Sequence, residues 1–349
     1  MKVCIRTVFK TENCGSFLQA WALKEALSSM GHDVCFNDYN YSVLKSNVVA
    51  FLKCCLRLRF RRAGDVVRKT LGFKNCQKDL KIVNGIGEAG LCFFGSDTLW
   101  NFEEDFFVKQ TSFFTGEKLQ VPCYTYAISV GSTLPEKFQE NSLAVRNIQK
   151  FKRIAVRDEH TKEAISKVYP CENIIKTVDP TMLIDKEVYI KRFSAVKSCC
   201  PKSLLIYYFG DIPEATRQAL REFARKKELA IVYVGMHEKG FDHSFVGIPS
   251  NFITAFANAE YIFTNTFHGC VFSIIFNKQF ATDGVHKKKI ESLLEEFALC
   301  DRVLHSSDDL EQVLTSSVDY VQINALINEK RDDSQKYLDH AMREVNDSE

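Results

Sequence analysis

The side chains best suited to chemistry lie in Thr264-Asn-Thr-Phe-His-Gly269. Tyr261 to Phe263, just before, is a β-branched and aromatic run that reads as a buried strand, and Gly269 to Phe276 reads as an apolar helix. Asn265, Thr266 and His268 therefore fall where a strand ends and a helix begins. Ligands bind at that edge of open α/β sheets, because helix N-termini converge there with unpaired N–H donors. A histidine so placed can donate to an anion or move a proton near neutral pH. It can equally cap the helix or fill a packed turn, and this stretch leaves both open.

Other segments end in the same way. Asn13-Cys-Gly15 follows a first strand, Val3 to Phe9, and its backbone amides could hold a phosphate; a plain tight turn is the alternative. Leu91 to Phe94 closes in Gly95-Ser96-Asp97-Thr98, and Pro122 to Ser129 in Gly131-Ser132. A strand from Phe151 ends in Arg157-Asp158, and Ile174 to Val178 ends in Asp179-Pro-Thr181. Such loops gathered on one sheet edge imply a lined cleft. Each has a plainer counterpart. Arg157-Asp158 could be a surface ion pair contributing under about 1 kcal/mol. Asp179-Pro180-Thr181 could be only a turn, and Asp97 could cap the segment after its strand.

The elements that must position these residues alternate strand and helix. Phe17 to Ser29 has helical spacing, Gly31 ends it, and Asp33 to Phe36 returns as a strand, as a parallel sheet requires. Lys186 to Pro201 is charged, contains Cys199-Cys200 and lacks periodicity; it reads as the junction between domains 1–185 and 186–349. A second alternating unit follows: strand Leu204 to Phe209, helix Pro213 to Lys226, strand Ala230 to Val234, polar loop Gly235 to Ile248, helix Ser250 to Ala257. After the Thr264–Gly269 stretch come a strand from Gln279 and a helix, Lys289 to Phe297. The segment 319–345 reads as a long helix placed to run back across the first domain. Residues 47–74 mix apolar side chains with Lys53, Arg57, Arg59, Arg61, Arg62, Arg68 and Lys69. This basic amphipathic segment either lies on an anionic membrane surface or packs its apolar side on its own domain.

Composition narrows the classes. The chain has 349 residues, room for two full cores, with an apolar fraction of 46% and a charged fraction of 26%. A formal net charge of +2 gives no global case for nucleic acid, so any anion site must be local. The 13 cysteines follow no disulfide or zinc framework, and no Asp/Glu/His cluster demands a metal. The N-terminus lacks a signal-peptide core, and no apolar run approaches the ~20 residues that cross a bilayer. A cytoplasmic protein with reduced thiols is expected, peripheral at the inner membrane face if 47–74 touches lipid.

Together Asn13-Cys-Gly-Ser-Phe-Leu-Gln-Ala20, Gly95-Ser-Asp-Thr-Leu-Trp-Asn101, Ala155-Val-Arg-Asp158, Asp179-Pro-Thr181 and Thr264-Asn-Thr-Phe-His-Gly269 resemble the motifs of the polysaccharide pyruvyl transferase family, in order. The resemblance implies an α/β protein of two Rossmann-like domains facing across a cleft, GT-B-like, with the acceptor on the first domain and the donor on the second. It implies transfer of a carboxyethylidene group from phosphoenolpyruvate to a sugar of a bacterial surface polysaccharide or its lipid-linked precursor, forming a cyclic ketal. No cofactor beyond that donor is implied. Thr98 stands where the family commonly has glutamine, Asn265 where it has serine, and Lys287-Lys-Lys289 where an arginine often precedes the next helix.

Phosphoenolpyruvate carries a carboxylate and a phosphate on one small frame. Arg157 offers a planar fork suited to either, with Lys287, Lys288, Lys289 or His286 as a second cation. His268 is the candidate general acid or base. Asp97 and Asp179 could orient the acceptor diol, with Asn13, Gly15, Ser96, Asn265 and Thr266 as further substrate contacts. A GT-B-like glycosyltransferase using a nucleotide sugar, or a non-catalytic scaffold in a polysaccharide assembly complex, are the rival readings.

Overall fold

The computed structural model describes residues 1–194, 202–283 and 287–347; Cys199-Cys200 and His286 lie outside them. Strands β1 (Lys2–Arg6), β2 (Asp33–Asn37), β3 (Ile82–Val83), β4 (Leu91–Phe94) and β5 (Cys123–Thr125) pair in parallel in the order β3-β2-β1-β4-β5. A parallel pair, β6 (Ile154–Val156) and β7 (Ile174–Lys176), continues beyond β5 through bridges of Tyr124 to Arg153 and Ile128 to Val156. The second sheet joins β8 (Ser203–Tyr207), β9 (Ala230–Gly235), β10 (His243–Val246), β11 (Tyr261–Thr264) and β12 (Gln279–Thr282) in the order β10-β9-β8-β11-β12, again parallel.

Both sheets thus share one winding. The chain builds outward from the central strand to one edge, then crosses to the other side. The reversal falls between β1 and β4 in the first sheet and between β8 and β11 in the second. Crevices open at such switch points because the flanking helices leave on opposite faces. Helices cover both faces, so β4 and β8 are buried along their whole length. Across the first sheet Cys35, Cys4, Cys92 and Cys123 are adjacent in register and buried, packing as small apolar side chains. Burial pushes the Cys123 thiol up to about 11.

Residues 186–193 correct the expectation of a junction without periodicity. They form a helix, Lys186–Phe193, whose Tyr189 and Phe193 are buried four residues apart. Trp21 packs on both, at ring distances of 5.5 and 4.8 Å, and Tyr189 meets Phe272 at 5.2 Å. This short helix therefore joins the cores beneath the two sheets. The long helix Tyr320–Asn346 crosses back as well. Tyr337 Oη donates to the Thr125 carbonyl at 2.7 Å, and Arg331 Nε to that of Met182 at 2.8 Å.

Two further expectations change. The stretch 235–248, read as a loop, contains β10. Its polar residues belong to an edge strand that is largely exposed, which hides the strand pattern. The basic segment 47–74 falls in two helices, Leu44–Leu56 and Phe60–Gln77, separated at Leu58, which has φ +52°.

Candidate functional site

Two helix starts from opposite domains converge between the sheets. After β1, Asn13 caps the helix Cys14–Ser29, its Oδ1 accepting from Ser16 N at 3.2 Å. After β11, Thr266 caps the helix Phe267–Ile275, its Oγ1 accepting from Gly269 N at 2.9 Å. That second turn needs its glycine: a β-carbon at 269 would lie 2.0 Å from Thr264 Oγ1. Thr266, not His268, is therefore the cap, which leaves the imidazole free for another role. His268 reaches across to Gly15, where a β-carbon would lie 2.1 Å from Nδ1.

Behind His268 sits a buried ionic cluster. Arg157, at the end of β6, donates from Nη1 to Asp179 Oδ2 at 3.2 Å, and His268 Nε2 stands 3.7 Å from the same oxygen. The Arg157 and Asp179 side chains are only 4% and 1% exposed. The other carboxylate oxygen, Oδ1, accepts from Thr181 N at 3.0 Å and Thr181 Oγ1 at 2.7 Å. Burial alone would push the Asp179 carboxyl up. His268, Arg157 and Thr181 outweigh it and hold the group well below the usual carboxylate range. Arg157 also lies over the Phe267 ring, 4.3 Å from its centre. Its Nε is buried with no hydrogen-bond partner among the described residues, and so is His268 Nε2, whose 3.7 Å contact is too long for one.

The surface ion pair of Arg157 with Asp158 does not occur. Successive residues leaving a strand point to opposite sides, and Asp158 turns to cap the helix Glu159–Ser166, accepting from Thr161 N at 2.8 Å and Ser129 Oγ at 3.0 Å. Asp179 does make its turn, but its second oxygen serves Arg157 and His268. Asp97 caps no helix. It has φ +117°, a conformation that side-chain-bearing residues rarely adopt, and its Oδ1 accepts from Thr98 N at 2.8 Å.

These groups surround a cavity of about 490 Å³. Thr11, Asn13, Ser16, Asp97, Thr98, Glu104 and Arg157 line it from the first domain, and Asn265, Thr266, His268, Lys287 and Lys289 from the second. Tyr41, Phe106, Tyr207 and Phe209 add aromatic rings to the lining from both domains. Lys287 Nζ donates to the Asn265 carbonyl at 2.7 Å. The Lys289 ammonium is lowered from its ordinary value by burial and by Arg157, against Asp97 and Glu104. Lys288 and Lys289 open the helix Lys288–Glu296. Cations there face the positive end of a helix dipole, an unfavourable place unless an anion is held among them.

Of the residues singled out from sequence, Gly15, Ser96, Asp179 and Lys288 do not line the cavity. Gly15 lies beneath His268, Asp179 lies behind it, and Lys288 is exposed. Ser96 is fully buried, with its N and Oγ both bonded to Gln19 Oε1, so it is no substrate contact. Asn265 lines the cavity, but its amide is committed: Oδ1 accepts from Phe209 N at 2.9 Å and Nδ2 donates to Phe209 O at 2.8 Å. It positions Phe209 at the end of β8. Phe209 could have been found by the same strand-end rule that found Asn265. Glu104, Tyr41 and Phe106 come from connections whose local sequence carries no such signal.

Comparison with known proteins adds the following. The sequence model of a family described as polysaccharide pyruvyl transferase matches residues 13–282. No curated protein sequence matches the chain. Among solved structures, UDP-GlcNAc 2-epimerase from Neisseria meningitidis, bound to UDP-GlcNAc, superposes with a TM-score of 0.55 at 11% identity, over 99% of this chain and 100% of that one. Arabidopsis thaliana UGT89C1, complexed with UDP, gives 0.52 at 11% identity over 99% of each chain. The epimerase from Rickettsia bellii gives 0.52 at 11% identity, over 99% of this chain and 97% of that one. At these identities the likeness is one of fold: two Rossmann-like domains facing across a cleft, GT-B-like.

Proposed function

Because this chain belongs to the polysaccharide pyruvyl transferase family, we propose that it moves a carboxyethylidene group from phosphoenolpyruvate to a sugar diol of a surface polysaccharide or its lipid-linked precursor. The observation that carries this reading is the cluster of Arg157, Lys287 and Lys289 beside a histidine backed by a buried carboxylate. Three cations, one from the first domain and two from the second, match a small donor with a carboxylate and a phosphate. The aromatic rings, Asp97 and Glu104 in the same lining suit a sugar, whose apolar ring face stacks while its hydroxyls meet carboxylates.

The chemistry follows from these two ligands. A proton delivered to the methylene carbon of the donor makes its neighbouring carbon electrophilic. One sugar hydroxyl adds there, the C–O bond to phosphate breaks, and phosphate leaves. The second hydroxyl closes the ketal. One hydroxyl proton replaces the proton consumed at the methyl group, and the other leaves with phosphate. With Nε2 turned to Asp179, Nδ1 is the His268 nitrogen left to deliver the proton, and Asp179 stabilises the imidazolium before transfer. Arg157 and the lysines hold the negative charge that develops on departing phosphate.

The test is donor choice followed by product analysis. Phosphoenolpyruvate should raise the melting temperature, and with acceptor glycan should release one phosphate per ketal formed. His268→Ala should lose that activity while remaining folded. Stabilisation by UDP-GlcNAc with none by phosphoenolpyruvate would replace this reading with a nucleotide-sugar transferase, the ligand class named for the structural neighbours.

A further inference from the structure

The helix Leu44–Leu56 buries none of its residues. Leu44, Val48, Leu52 and Leu56 recur every fourth residue and so form one stripe, with Phe51 beside it. The stripe continues through the turn into the next helix: Leu56 is 84%, Leu58 76% and Phe60 66% exposed. Asn47, on the other side of the helix, fixes the direction the stripe faces. Its Nδ2 donates to Glu12 Oε1 at 2.5 Å and to Thr70 Oγ1 at 2.7 Å.

Charge is equally one-sided. Residues 39–64 contain six lysines and arginines and no aspartate or glutamate. Lys45, Lys53, Arg57 and Arg59 are exposed and make no ion pair among the described residues. A contiguous exposed apolar strip is not left bare without a partner, and here the partner must accept cations along its length.

We propose that this face seats on an anionic phospholipid bilayer. Leu44, Val48, Leu52, Leu56, Leu58 and Phe60 enter the boundary between headgroups and acyl chains, and Lys45, Lys53, Arg57 and Arg59 meet lipid phosphates. A second copy of the chain fits poorly, because an isologous contact would set this cationic rim against itself. The placement also has a use. Tyr41 lines the cavity just before the helix begins, and Glu12, which anchors Asn47, adjoins the cap residue Asn13. The bilayer contact and the cavity thus share a rim, so an acceptor carried on a lipid would reach the site without leaving the membrane. Binding itself does not depend on the donor chemistry proposed above.

Co-sedimentation with vesicles of phosphatidylcholine containing roughly one-third phosphatidylglycerol tests it, with pure phosphatidylcholine as control. The full chain should partition to the anionic vesicles and only weakly to the neutral ones. Replacing Lys53, Arg57 and Arg59 together by glutamine should weaken partitioning at least about tenfold, since each basic residue near a charged surface contributes roughly a fivefold factor. Leu52→Glu with Leu56→Glu should abolish it. Both variants should keep the wild-type circular dichroism, because the changed side chains touch no core. Equal partitioning to both vesicle types, binding unchanged in either variant, or no binding at all would overturn the proposal. So would a concentration-dependent dimer, seen by sedimentation velocity, that the two leucine substitutions dissolve.

Discussion

Gly15 and His268 come from opposite domains, yet a β-carbon on Gly15 would lie 2.1 Å from the Nδ1 of His268. The proposed proton donor is thus held against the first turn of a helix that belongs to the other sheet, and closing the domains is what completes its surroundings.

Gly15→Ala tests that contact. A β-carbon there would also stand 2.7 Å from His268 Cβ, which no ring rotation relieves, so the two helix starts must part and the melting temperature should fall. The displaced imidazole should lower kcat by about 10²–10⁴-fold. Activity within a factor of about two of wild type would mean the ring's position is not needed.

Asp179 should show its role through acid stability. Its folded-state carboxyl titrates below the unfolded value of about 3.9. Its contribution is therefore complete above about pH 4 and is lost as pH falls toward the folded-state value. Asp179→Asn removes that contribution, so its denaturant midpoint should fall less on acidification than that of the wild type. Asp179→Ala leaves Arg157 buried and unpaired and should cost about 3–5 kcal/mol. Parallel acid limbs for wild type and the asparagine variant would refute the assignment.

Lys289→Met separates donor binding from stability. The lysine is half-buried and neighboured by Arg157, so removing it should not destabilise the protein. If it holds a donor anion, KM for phosphoenolpyruvate should rise about 10–100-fold, the value of one charge-assisted hydrogen bond, with a smaller change in kcat. An unchanged KM would assign the donor to Arg157 and Lys287 alone.

Arg157→Lys keeps the charge but loses the fork and the stacking on Phe267. A bidentate role predicts a loss of kcat/KM of at least about tenfold despite conserved charge. Near-normal turnover would reduce Arg157 to a structural partner of Asp179.

The sequence by itself determined the parallel α/β architecture and the strand ends that carry His268, Arg157, Asp97 and Asp179. Those signals are local: hydrophobic period, small residues after a strand, caps before a helix. It even contained the stripe of residues 44–60, though not whether that stripe is buried or bare. Tertiary structure alone decided that Arg157 pairs with Asp179 rather than its neighbour Asp158, and that Ser96 is sealed under Gln19. It also decided that Asn265 is occupied by Phe209, and that Tyr41, Phe106 and Glu104 complete the cavity. The reason is physical. Which side chains meet across two sheets depends on how the domains close, and that depends on packing such as Trp21 on Tyr189 and Phe193, made between residues far apart in the chain.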